Sequence, residues 1–106
     1  MQKSPQYPIA PAPVGLDDSF PLLLDDNAVQ EDREIESLHV HDVLELGFCH
    51  EGSGVFVVED KVLPFGAGDI SVISSAEMHL AQSTRGTVSV WSWIYLDVKA
   101  LLFPTF

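Results

Sequence analysis

The stretch that decides the fold is VLELGFCHEGSGVFVVEDKVLPFGAGDISVIS, residues 43–74. It holds four short runs of apolar and β-branched residues, at 43–50, 55–59, 62–65 and 70–74. The segments between them are rich in Gly, Asp and Ser: Glu51-Gly52-Ser53-Gly54, Asp60-Lys61 and Gly66-Ala67-Gly68-Asp69. Short apolar runs bounded by such residues predict β-strands joined by tight turns.

The same texture continues on both sides of this stretch. Further strand-like runs lie at 35–41, 79–84 and 87–96. No window of helical length repeats its apolar residues every 3.6 positions, and the helix candidate is 97–103, which Pro104 limits. About seven short strands at close spacing predict an all-β fold, an antiparallel sandwich or barrel.

The first 34 residues differ from the rest. Four prolines fall in residues 1–15, which favours an extended arm over a helix or a central strand. Residues 20–24 predict a short edge strand, and the acidic residues 25–36 predict a solvated loop or edge hairpin. We therefore divide the chain into an N-terminal arm (1–34), a barrel (35–97) and the start of a connection to a further C-terminal segment (98–106).

Composition excludes several classes of function. The 106 residues suffice for one domain, and 5 Lys and Arg stand against 16 Asp and Glu, for a net charge of −11. Such a charge argues against nucleic acid or an anionic membrane as a partner of this segment. The single cysteine, Cys49, excludes an internal disulfide and, with the absence of a signal peptide or long apolar run, favours the cytoplasm.

Four residues form a candidate ligand set. His39 and His41 are two positions apart, so a strand projects both imidazoles from one face, and Glu45 keeps the same parity. His79 lies in another predicted strand. Three imidazoles and a carboxylate suit a divalent Zn, Ni, Mn or Fe ion. The same residues also suit a polar cluster that hydrogen-bonds to neighbours or to a small-molecule effector, and both interpretations stay open.

The spacing of these residues resembles the two cupin motifs. His39-x-His41-x3-Glu45-x6-Gly52 matches the first, and Gly68-x10-His79 matches the second. Arg33, Ser74, Ala76 and Ser83 replace residues that the motifs usually contain, although the four ligand positions are retained. The resemblance implies a jelly-roll barrel of two antiparallel sheets, with His39, His41, Glu45 and His79 pointing into it.

The sequence pattern of residues 35–97 resembles the N-terminal effector domain of AraC-family transcription regulators. The resemblance includes the segment Trp91-Ser-Trp93-Ile-Tyr95-Leu. The resemblance implies a non-enzymatic domain that senses a small molecule and dimerises. It also implies DNA binding by a separate C-terminal helix-turn-helix domain. The alternative is a small metal-dependent cupin enzyme, of dioxygenase or isomerase type, for which the intact His and Glu set argues.

The aromatic residues of the last strand share one face. Trp91, Trp93 and Tyr95 are expected either in the core or as a wall of the ligand pocket. Phe48, Phe56 and Phe65 are expected in the core. Apolar residues remain at 20–24, on the other face of 87–96 and at 101–106, and this surplus predicts a homodimer.

Overall fold

The computed structural model describes residues 8–17 and 19–102. They form nine strands and one short helix. The strands are β1 (Ile9–Pro11), β2 (Leu22–Gln30), β3 (Leu38–Val40), β4 (Leu44–Glu51), β5 (Ser53–Val58), β6 (Lys61–Gly66), β7 (Ile70–Ile73), β8 (His79–Ser83) and β9 (Ser89–Leu96), and the helix is α1 (Val98–Leu102). The all-β prediction is confirmed.

Two sheets face each other. One has the order β1-β3-β8-β5-β6 and the other β2-β9-β4-β7. β1 runs parallel to β3, whereas every other neighbouring pair within the described ranges is antiparallel. The two sheets are the arrangement that a jelly roll requires.

The core lies between the sheets because alternate residues of each strand point inward. Trp91 and Trp93 are 1% and 8% exposed, and their rings stack with centroids 4.5 Å apart. Cys49, Phe56 and Phe65 complete the same cluster, as expected for Phe56 and Phe65. The burial of these aromatic residues is the main stabilising contribution that the packing shows.

Two expectations were wrong. Residues 25–30 are not a loop, because β2 continues through them and pairs with β9, with a bulge between Asp25 and Ala28. The four-stranded sheet thus begins within the segment that we assigned to the arm. Phe48 is not in the core: it is 40% exposed, since the inward positions of β4 are those of Glu45, Gly47 and Cys49.

The terminal segments are only partly described. The predicted helix is present as α1, while residues 103–106 of the apolar tail lie outside the described residues. The same applies to Pro5 and the rest of residues 1–7. Within the described ranges, the structure contains no helix both long enough and apolar enough to span a membrane.

Candidate functional site

The candidate site joins the two sheets at one end of the barrel. His79 opens β8 and is paired in register with His39 of β3, and His41 follows β3 by one residue. Glu45 reaches them from β4 in the opposite sheet. Its Oε1 atom lies 3.2 Å from His41 Nε2 and 3.3 Å from His79 Nε2, so one carboxylate bridges two imidazoles.

Backbone carbonyls orient both imidazoles. His41 Nδ1 lies 2.6 Å from the Ala12 carbonyl oxygen, and His79 Nδ1 lies 2.9 Å from that of Glu77. A carbonyl oxygen only accepts hydrogen bonds, so each Nδ1 must carry the proton and donate it. The two Nε2 atoms that face Glu45 are then the atoms free to bind a proton or a metal ion.

The group is buried and not fully hydrogen-bonded. Glu45 is 3% exposed and His79 is 4% exposed. Glu45 Oε2 has no hydrogen-bond partner among residues 8–17 and 19–102. Buried carboxylate oxygens are normally paired, so this atom is expected to meet a further group, such as a ligand donor or a cation.

The distances fit a divalent metal ion. One ligand atom each from His41, Glu45 and His79 lies within 4.8 Å of the other two. Nitrogen and oxygen ligands of a tetrahedral ion at its usual bond lengths are roughly 3.4 Å apart, close to the two distances around Glu45 Oε1. Such an ion, when bound, supplies positive charge that binds and polarises oxygen atoms of a ligand.

The site shifts the pKa of its neighbours in opposite directions. Burial lowers the pKa of His79, but the hydrogen bond and charge of Glu45, helped by Glu77, outweigh it, and the net pKa is raised. Burial, followed by the charges of His41 and His79, lowers the pKa of His39. Burial, with the charges of Glu45 and Asp25, raises the pKa of Tyr95 to about 12, so its phenol stays protonated.

His39 is set apart from the other three predicted ligands. It does not belong to the group of converging ligand atoms, and its ring centroid lies 6.4 Å from that of His41. It nevertheless lines the same cavity. The structure thus brings together His41, Glu45 and His79 and leaves His39 beside them.

The cavity around the group has a volume of about 210 Å³. Trp93 and Tyr95 form part of its wall, and the Tyr95 ring lies 5.5 Å from that of His41. Trp91, the third aromatic residue expected there, lines a different cavity instead. His50 lies on the outer face of β4, where its Nε2 atom is 2.6 Å from Ser92 Oγ.

Two contributors were not predicted. Gln30 at the end of β2 lines the cavity, and the Ala12 carbonyl orients His41. A glutamine within the acidic stretch 25–36 gave no signal of this role. A backbone carbonyl has no side-chain signature at all, so only the path of the chain could reveal it.

Comparison with known proteins supports the fold and places the chain in a family. The family model described as the AraC-like ligand binding domain matches residues 28–103. No curated protein matches the chain.

Solved structures, a cupin protein among them, are similar to it. A cupin protein from Bacteroides fragilis aligns with a TM-score of 0.66 at 18% identity, over 99% of this chain and 93% of its own. The plu4264 protein from Photorhabdus luminescens aligns with a TM-score of 0.59 at 18% identity, over 70% of this chain and 62% of its own. A predicted oxalate decarboxylase from Thermotoga maritima aligns with a TM-score of 0.54 at 25% identity, over 72% of this chain and 61% of its own. The chain spans less than two thirds of the length of the last two proteins. The structural similarity confirms the predicted cupin fold.

Proposed function

The chain belongs to the AraC-like ligand binding domain family, and from this premise we propose that it senses a small molecule for a transcription regulator. The effector binds in the cavity of His41, Glu45 and His79. The observation that carries the proposal is the buried Glu45 carboxylate, which bridges two oriented imidazoles and keeps Oε2 without a partner. The net charge of −11 argues against DNA binding by this segment, and in our proposal that role falls to a separate helix-turn-helix domain, as the resemblance to AraC-family regulators implies.

The cavity suggests the chemistry of the effector. At about 210 Å³ it is smaller than most small-molecule sites, which measure roughly 300–1,000 Å³. A surface pocket of about 400 Å³, lined also by Arg33 and Glu34, shares His39 with it as a lining residue. A ligand that occupies the inner cavity and the surface pocket together positions its hydrogen-bond donors against Glu45. Its more polar end then lies in the surface pocket. Glu45 disfavours a polyanion in the inner cavity.

A divalent ion is the second part of the proposal. His41, Glu45 and His79 hold it, and Zn, Ni, Mn and Fe are the candidates. With the Nδ1 protons donated to carbonyls, both imidazoles offer the correct nitrogen without a change of tautomer. The ion either completes the effector site or binds the effector directly.

The same donor set supports an alternative function. A small metal-dependent enzyme of the dioxygenase or isomerase type also needs buried His and Glu ligands beside a cavity. The Thermotoga maritima protein, described as a predicted oxalate decarboxylase, shows that enzymes are named among proteins with this fold. The sensing role remains our first proposal, because the matching family model is that of a ligand-binding domain.

We also propose that the domain forms a homodimer in the cytoplasm. An apolar row crosses the outer face of the four-stranded sheet. In this row each residue is the register partner of the next: Leu24, Ile94, Leu46 and Val72. Leu24 is 55% exposed and Val72 is 62% exposed. An exposed apolar row of this kind is typical of an interface between chains.

A thermal-shift screen of sugars, aromatic acids and divalent ions tests the sensing role. A ligand at a hundred times its Kd stabilises the fold by about 2.7 kcal/mol, which raises Tm by roughly 10–20 °C in a domain of this size. We expect His79→Ala to abolish the shift and His50→Ala to keep it. A shift that survives in His79→Ala contradicts the site. Consumption of the bound compound, followed by NMR, instead supports the enzyme.

A further inference from the structure

A second cavity lies at the opposite side of the barrel, where the two sheets are not joined. β6 is the last strand of one sheet and β7 the last strand of the other. The chain passes from one to the other through the turn at 66–69. The cavity between these two free edges has a volume of about 390 Å³, within the usual range for small-molecule sites.

The floor of this cavity is aromatic. Phe56, Phe65 and Trp91 line it, and the Phe65 and Trp91 rings meet edge to face with centroids 4.9 Å apart. Leu63 and Ile73 add aliphatic surface from the two edge strands. Such a surface favours a flat apolar body, which can stack on or abut the rings.

A cation stands beside this apolar floor. Lys61 opens β6 and lines the cavity, and it makes no ion pair with the residues that the structure describes. Only five residues of the chain are Lys or Arg, and the net charge is −11. The unpaired Lys61 ammonium is therefore an unusual positive charge on an acidic molecule. It offers an ionic hydrogen bond to one anionic group.

Two other polar groups restrict the ligand further. Asp69 lines the cavity, but its Oδ2 accepts the Gly66 N–H at 2.8 Å, so it serves the turn and repels a second negative charge. Ser71 Oγ is buried against Gly47 and has no partner among residues 8–17 and 19–102. Ser71 also lines the cavity.

We propose that the cavity between β6 and β7 binds a small aromatic monocarboxylate, with the ring on Leu63, Phe56 and Phe65, above the fully buried Trp91, and the carboxylate on Lys61. The site differs from the one around Glu45. Phe56 lines both cavities, whereas Trp91 lines only this one and Trp93 lines only the other, and the Trp91 and Trp93 rings stack on each other. The proposal does not depend on the proposed sensing role or on a metal ion.

Titration of the ¹⁵N-labelled chain with 2-naphthoate, followed by NMR, tests the proposal. We expect saturable shifts of the amides in Lys61–Gly66 and Ile70–Ile73. The neutral naphthalene-2-carboxamide should bind about tenfold more weakly, since it lacks the charge that Lys61 recognises. Shifts centred on His41 and His79, or none up to the solubility limit, would overturn the proposal.

Matched variants separate Lys61 from the general charge of the chain. Lys61→Met keeps the length of the side chain and should weaken 2-naphthoate binding about tenfold. Lys99→Met removes the same charge from α1, away from the cavity, and should leave the affinity within about twofold. Glu45→Gln should also leave it unchanged. Equal losses in Lys61→Met and Lys99→Met overturn the proposal, since they show attraction to net charge rather than a site.

Discussion

Glu45 is the residue on which the metal proposal depends most. It contributes the only carboxylate of the His41, Glu45 and His79 group, and its Oε1 touches both imidazoles. Glu45→Gln keeps the shape of the side chain but removes the charge. We expect the affinity for Zn²⁺ or Ni²⁺, measured by competition with a chromophoric chelator, to fall by at least about 100-fold, more than for loss of an outer hydrogen bond.

Glu51→Gln is the matched control for this change. Glu51 ends the same strand and is exposed, so its removal alters the net charge equally without touching the group. Its affinity should match that of the unaltered chain. Equal weakening in the two variants would show that the ion binds elsewhere on the acidic surface.

Gly47 is the residue that fixes the contact between β4, β7 and β9. A Cβ atom built there clashes with Ser71 Oγ and with the Trp93 ring. The Trp93 ring cannot move freely, because it is stacked on Trp91. We expect Gly47→Ala to lower the free energy of unfolding by about 1–3 kcal/mol in urea titrations, the usual cost of overpacking.

Gly66→Ala is the comparison for Gly47. Nothing lies within 4 Å of a Cβ atom at Gly66, and its φ is not in the left-handed region. The change should alter stability by no more than about 0.5 kcal/mol. A similar loss in both variants would attribute the effect to the strand conformation of glycine rather than to the contact with Trp93.

At the scale of elements, β1 links the N-terminal arm to the site. β1 pairs with β3, and the carbonyl of Ala12, the residue after β1, accepts a hydrogen bond from the Nδ1–H of His41. Deletion of residues 2–14 removes this acceptor, and the His41 ring is then free to rotate and change its tautomer. We expect Zn²⁺ affinity, measured by calorimetry, to fall about tenfold, as is typical when the orienting partner of a metal ligand is lost.

Deletion of residues 2–7 alone is the control for the arm. It leaves β1 and Ala12 in place, so metal affinity should be unchanged. The far-ultraviolet circular dichroism of both shortened chains should retain the β-type spectrum, because β1 is a three-residue strand at the edge of its sheet. An affinity unaffected by the longer deletion contradicts the orienting role.

The elements also show how far the sequence leads. The strands from Leu44 to Ile73 could be predicted because apolar runs alternate with Gly-rich turns. Strand parity predicted that His41 and Glu45 share a face, and the resemblance to the cupin motifs added His79 to them. β2 was only half predicted, since an edge strand with one solvated face tolerates Asp25 and Asp26, and acidic residues in such a place look like a loop.

Other features needed three-dimensional information. His39 is the register partner of His79 and yet lies outside the ligand group, which spacing alone does not predict. The cavity between β6 and β7 exists because each of these strands is the last in its sheet. The sequence of a single strand does not predict its place in the order of the sheet. Lys61 becomes notable only once its unpaired position beside an aromatic floor is known.

At the scale of the whole molecule, the distribution of apolar surface suggests how two copies meet. Beside the row from Leu24 to Val72, Phe48 has Ser92 and Ile70 as its register partners on the outer face. Ile70 is 72% exposed and Phe48 is 40% exposed. The exposed apolar side chains on this face thus extend over neighbouring strands, and a second copy can cover them by packing sheet against sheet.

Val72→Lys tests this interface. A charge buried without a partner in the apolar contact is costly, so we expect the variant to sediment as a monomer at concentrations where the unaltered chain is a dimer. Val62→Lys is the matched control, because Val62 is 49% exposed but belongs to β6 of the other sheet. That variant should remain dimeric, since its added charge lies outside the apolar face. If both variants dissociate, the added charge acts through the net charge of the molecule. If the unaltered chain is a monomer throughout, the face serves another partner, and the proposed homodimer is wrong.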